Sequence, residues 1–153
     1  MSQDDIGELV ELAVAWALAH LGSPDYALRC LAFVEDAYER ANQIEVFGGD
    51  SAAESAARYG THPLERAAPP PRGALVFYAC GGPVQGEHRE WGHVGPSLGD
   101  GEVVHAWDRV RVDDIEAVEH LIRADGWSQP RLLGWTAADR VLEGRATRDW
   151  AAR

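Results

Sequence analysis

Three residues of this 153-residue chain are of types that do covalent chemistry when they meet: Cys30, His93 and His105. A thiolate attacks carbonyl carbon, and it needs a base to take the thiol proton and a third group to hold that base in the right tautomer. Cys30 falls near the start of a predicted helix, where the partial positive charge of the N-terminus favours thiolate over thiol. His105 follows His93 by 12 residues, with Gly99-Asp100-Gly101 between them. That tripeptide is a hairpin signal. A hairpin turning there sets the two imidazoles opposite or nearly opposite each other, so that one can orient the other. Taken singly, each residue also has an inert reading. Free Cys is commonly a small buried hydrophobe, Cys30 is in phase with Phe33 and Val34, and either His can be a core or edge residue bonded to backbone. The combination is what points to nucleophilic chemistry.

The elements that must position these groups differ between the two halves of the chain. Ile6, Leu9, Val10, Ala13, Trp16, Ala17 and Leu21 recur at three- and four-residue steps, the spacing of one helical face. Gly22-Ser23-Pro24-Asp25 interrupts it, with Ser23 either capping the next helix directly or lying in a turn. A second helix runs to about Asn42 with Cys30, Phe33, Val34, Ala37, Tyr38 and Ala41 in phase, and a short Ala-rich helix is predicted over 51–59. Ala67-Ala68-Pro69-Pro70-Pro71 is a stiff connector. Beyond it the period shortens. Residues 74–79 are an apolar run of strand length, 92–98 and 102–107 flank the hairpin turn, and 110–112 and 131–136 are further strands. Residues 113–123 are expected as a helix, and the tail after Gly144 as frayed or a short helix. The expectation is one α+β domain spanning 1–153, with a helical half over about 4–60 packed on an antiparallel sheet half over about 73–136.

Composition removes several classes of function. With 25 acidic against 14 basic residues the net charge is -11, which disfavours nucleic-acid binding, since that affinity comes mainly from Lys and Arg. No stretch approaches the roughly 18 apolar residues of a membrane span. Two cysteines are too few for a disulfide scaffold and suit a reducing compartment, and the acidic start is unlike a secretory signal, so a cytoplasmic location is expected. The spacing of Cys30, Cys80, His88 and His93 matches no zinc-binding set, so neither a metal nor another cofactor is expected. The sequence says nothing of oligomeric state.

Gly92-His93-Val94-Gly95, then Leu98-Gly99-Asp100-Gly101 and His105-Ala106, resemble the His segment of the NlpC-type endopeptidases, papain-like cysteine peptidases related to the CHAP amidases. Residues 71–78 resemble the strand before that segment. Residues 21–26 with Cys30-Leu31-Ala32-Phe33-Val34 resemble its nucleophile helix. The resemblance spans about His20 to Trp107, with weaker likeness to Trp135, and implies a papain-like NlpC-type fold. It implies cleavage of an amide or isopeptide bond in a peptide of the cell-wall type. Cys30 would be the nucleophile, His93 the base and then acid, and His105 the orienting third member. Acyl transfer or deamidation at the same site, or a silent binding module, are the alternatives. Arg29 and Leu31 replace the Asp and Ser that usually flank the nucleophile and help grip substrate, and Ala74 replaces an acidic residue. Together with Tyr26 and Trp91, Arg29 and Leu31 are the expected substrate-facing residues. The inserted segment 80–90 is expected to border the cleft, and Trp91 and Trp107 to shield it from water.

Overall fold

The structure is a computed structural model and describes residues 3–151. Helix α1 (Gln3–Ala19) buries Val10, Ala13, Val14 and Ala17 on one stripe. Helix α2 (Cys30–Asn42) answers with Phe33, Val34, Ala37 and Tyr38, as their three- and four-residue spacing requires. The helix starts at Cys30 and not at Pro24. Residues 24–29 form turns closed by Ala27 N–H to the Pro24 carbonyl (3.1 Å) and Arg29 N–H to the Tyr26 carbonyl (2.8 Å). Leu28 has φ +63, outside the right-handed region, so helix cannot run through it. Ser23 accordingly accepts from Asp25 N–H within a turn and caps nothing. Strand β1 (Ile44–Glu45) and helix α3 (Ala52–Tyr59) follow, α3 capped by Ser51, whose hydroxyl accepts from Glu54 N–H at 3.1 Å.

Strand β2 (Leu75–Ala79) is the centre of a three-stranded antiparallel sheet, between β5 (His93–Pro96) and β8 (Arg131–Thr136). Its register pairs Tyr78 with His93. Strands β6 (Glu102–Ala106) and β7 (Val110–Asp114) form a separate antiparallel pair in which His105 faces Arg111. Helix α2 packs across β5 and β6, and Phe33, Tyr38, Phe77, Val94 and Val104 share one core. The architecture is α+β, helices on antiparallel sheet.

Four expectations change. First, β5 and β6 do not zip into a ladder. A single bridge (Ser97 with Val103) and one bond from Leu98 N–H to the Glu102 carbonyl (2.9 Å) close the turn, after which β5 joins β2 and β6 joins β7. The two strands still touch at Gly95, where a Cβ would lie 2.6 Å from the Val104 carbonyl oxygen and 2.7 Å from the His105 Cβ. Only glycine permits that approach. Second, segment 80–90 is a β-hairpin, β3 (Gly82–Val84) against β4 (Glu87–Arg89), turning on Gln85 and Gly86, both with positive φ. Third, Asp113 and Asp114 belong to β7, and only Ala117–His120 coil, as one 3-10 turn. Val110 and Val112 alternate with polar residues, and cross-strand pairing carries that period on through Asp114. Fourth, the tail after Gly144 forms strand β9 (Ala146–Thr147), which pairs with β1, and a helix α4 (Ala138–Leu142) precedes it. No helix among the described residues is long and apolar enough to cross a membrane.

Candidate active site

Cys30 and His93 open onto the same cleft, of about 980 Å³, whose walls come from the first turn of α2, the β3–β4 hairpin, the end of β6 and the segment 120–127. Arg29, Leu31 and Trp91 also line it. Tyr26 does not. Its ring packs edge-on against Phe33 (5.5 Å) and Trp16 (6.1 Å), and its hydroxyl donates to Asp36 at 2.6 Å. The turn that precedes α2 directs Tyr26 towards the α1–α2 seam, so the expected substrate contact is replaced by packing.

The sulfur of Cys30 lies against the backbone on both sides of His93, with its Sγ 4.0 Å from the Gly92 carbonyl oxygen and the Val94 N–H directed at it. Gly92 makes this possible. It adopts φ +77, and a Cβ there would lie 2.6 Å from the Ala53 nitrogen. Burial pushes the Cys30 thiol up to about 11, against the Val94, Leu31 and Cys30 backbone N–H groups, which pull it down. The helix N-terminus therefore acts in the expected direction but is outweighed, because taking a thiolate out of water costs more than these donors return. Cys80, buried on the same cleft wall, is pushed up to about 12 by burial and then by the proximity of Cys30.

His93 is buried, and its imidazole is held well below its ordinary value, first by burial and then by His105. Its Nε2 lies 2.8 Å from His105 Nδ1. The other nitrogen of His105, Nε2, lies 2.7 Å from Asp113 Oδ2. Asp113 is gripped in turn by Arg111, whose Nε donates to Oδ2 (2.8 Å) and whose Nη2 donates to Oδ1 (3.2 Å). The His105 bond first, and the Arg111 bonds after burial's opposing effect, hold the Asp113 carboxyl below the usual carboxylate range. Cross-strand pairing explains the cluster. His105 and Arg111 are directly opposite, and Asp113 is two residues further along β7, so all three project from one face.

This chain of bonds fixes tautomers. A carboxylate only accepts, so His105 Nε2 carries a proton. In the uncharged relay His105 Nδ1 is then a bare acceptor, and it takes a hydrogen bond from His93 Nε2–H. That leaves His93 Nδ1 as a lone pair, free to accept a proton. Trp107 stands edge-to-face against His93, with ring centroids 5.0 Å apart, and its indole N–H donates to the Ile122 carbonyl at 2.8 Å. Trp107 thus covers the imidazole, as expected, while Trp91 is held on the cleft wall by a bond from its N–H to the Gly82 carbonyl (2.9 Å).

Asp113 was not legible in the sequence, because a helix was expected over 113–123, and Arg111, on the expected strand 110–112, was given no role. The alternation Val110-Arg111-Val112-Asp113 after the Asp108-Arg109 turn was the available signal. His120 is exposed and lines the cleft. Among the described residues, no group of three or more His, Cys, Asp or Glu is placed to hold a metal ion.

Neither a family model nor a curated protein matches the sequence. Solved structures do match the fold. The peptidoglycan hydrolase RipB from Mycobacterium tuberculosis aligns over 90% of this chain and 68% of its own, at 18% identity and a TM-score of 0.56. The resuscitation-promoting-factor-interacting protein RipA aligns over 90% and 67%, at 16% identity and a TM-score of 0.54. RipD of M. tuberculosis, described as a non-catalytic NlpC/p60 domain protein adapted to peptidoglycan binding, aligns over 82% and 96% at 15% identity and a TM-score of 0.49. The fold of this chain is of the NlpC type.

Proposed function

We propose that this chain is a cysteine amidase or endopeptidase that cleaves an amide or isopeptide bond in a peptide substrate through a thioester on Cys30. The observation that carries this reading is the unbroken chain Asp113–His105–His93, ending in an imidazole that shares a cleft with the thiol. His93 Nδ1 takes the Cys30 proton as the sulfur attacks the carbonyl carbon. With burial pushing the Cys30 thiol up and the His93 imidazole down, proton transfer accompanies the attack. The first backbone N–H groups of α2, which lack helical acceptors, are the donors available to stabilise the oxyanion. His93 then protonates the leaving amine, which departs and leaves the acyl group on sulfur. Water, deprotonated by His93, releases the acid. RipB is described as a peptidoglycan hydrolase, which makes a cell-wall peptide the first substrate to offer.

The test is capture of the thioester. Incubation with a library of wall-derived and synthetic peptide amides, quenched in acid, should give an acyl adduct on Cys30 by mass spectrometry. Cys30→Ala should keep its circular dichroism and lose turnover. Hydrolysis by Cys30→Ala at the wild-type rate overturns the assignment. The raised thiol favours a second reading, a binding module without turnover, and a peptide that binds but never acylates Cys30 would establish it. A labelled amine added as acceptor separates transfer (labelled amide product) from hydrolysis (free acid alone).

A further inference from the structure

Beside the reacting groups the cleft is walled by Leu28, Leu31, Trp91, Trp107, Ile122 and Trp127. Two of these are displayed to solvent at its rim, Leu28 at 56% and Ile122 at 92% exposure. Leu28 holds a left-handed backbone, φ +63, a conformation that would suit Gly or Asn better, yet an aliphatic side chain stands there two residues before the nucleophile. Several charged groups on the same walls are held by neighbours, although Glu35, Asp50 and His120 also line them. Arg111 pairs with Asp108 at 3.3 Å, Arg123 donates to Gln129 at 3.2 Å, and Arg29 donates to the Asp25 carbonyl at 3.4 Å. Apolar surface left open to water beside a reactive centre gains free energy when a substrate covers it. On the reading that Cys30 attacks an amide, we infer that the amide this cleft accepts carries an extended apolar group, aliphatic or aromatic, next to the scissile bond. The reaction is RCO–NHR′ with water giving the acid and the amine, with R or R′ the apolar group.

Binding tests this separately from turnover. The probes are two series of simple amides offered to Cys30→Ala, N-alkylacetamides (methyl, butyl, hexyl, octyl) and N-methyl acylamides (butanoyl, hexanoyl, octanoyl). The fluorescence of the cleft tryptophans is the readout. In one series or the other, affinity should rise with chain length, by up to about fourfold per fully buried methylene. The series that responds tells whether the apolar group lies on the acyl or the amine side. Adding Ile122→Asp should weaken the octyl or octanoyl probe and not the methyl one, with melting temperature unchanged. Affinity that does not grow with chain length in either series overturns the inference. Chain-dependent binding with no hydrolysis by the wild-type protein would leave the inference standing and remove the enzymatic reading.

Discussion

Two regions meet at His93 and are built on opposite principles. Behind it, the relay through His105, Asp113 and Arg111 is buried or half-buried, and each side chain is bonded to the next. In front of it, the cleft is open and mostly apolar, with Glu35, Asp50 and His120 among its polar lining residues. The first arrangement fixes one geometry and one set of tautomers, since a buried polar group left without its partner costs about 1–3 kcal/mol. The second leaves orientation of a ligand to shape and apolar contact. On the proposed reading, geometry is fixed at the base and left loose at the substrate.

The comparison breaks most sharply at the relay. His93→Ala should lower kcat/KM on any amide that acylates Cys30 by about 10²–10⁴-fold, the usual range for a general base. Wild-type rates in that variant would remove His93 from the chemistry. Next in size, Asp113→Asn keeps the shape but lets its amide donate to His105 Nε2, which reverses the tautomers and puts a proton on His93 Nδ1. The expected loss is about 10–10²-fold in kcat with KM little changed, by analogy with the larger effect of a wrong tautomer one link nearer the base. Equal falls in kcat and in thermal stability would reduce Asp113 to a structural residue. Gly95→Ala should cost about 1–3 kcal/mol in urea unfolding, because its Cβ would collide with the backbone of β6.

The two regions should also respond to pH in opposite directions. His93 is held below its ordinary value when folded, so the unfolded chain binds more protons below about pH 6.5. Its contribution is fully present above that pH and is lost as pH falls. Glu35, on the cleft wall, is pushed up to about 7 by burial and then by Glu39, Asp36 and Asp50. Here the folded chain binds more protons, and stability falls as pH rises from about 4.5 towards 7. Urea midpoints of His93→Gln and Glu35→Gln should diverge from wild type at low and at high pH respectively. The smallest effect belongs to the cleft rim. Ile122→Ser should change stability by no more than about 0.5 kcal/mol, since its side chain is almost fully exposed. A larger loss would mean that the rim is part of the core.

Local periodicity carried most of the fold. The face of α1, the phase of α2 from Cys30 onwards, the short helix over 51–59 and strands β2 and β8 could be read from spacing, because each depends on residues a few positions apart. The turn before α2 was less legible, since a positive φ at a leucine has no sequence signature. Strand partners were least so. Gly99-Asp100-Gly101 predicts a turn, and the chain turns there, but whether the flanking strands then stay paired depends on β2 and β7, which compete for their edges.

By itself, then, the sequence determined which residue types were on hand, a thiol at a helix start and two imidazoles astride a turn, and the α+β class that holds them. Only the tertiary structure decided what they became. The crossing of β5 and β6 at Gly95, and the pairing of His105 with Arg111, brought Asp113 into line behind the imidazoles and set their protons. Burial, which is a property of the whole packed chain, pushes the Cys30 thiol up against the pull of its helix N-terminus. Hydrogen-bond direction and desolvation arise from neighbours distant in sequence, and no local pattern encodes them.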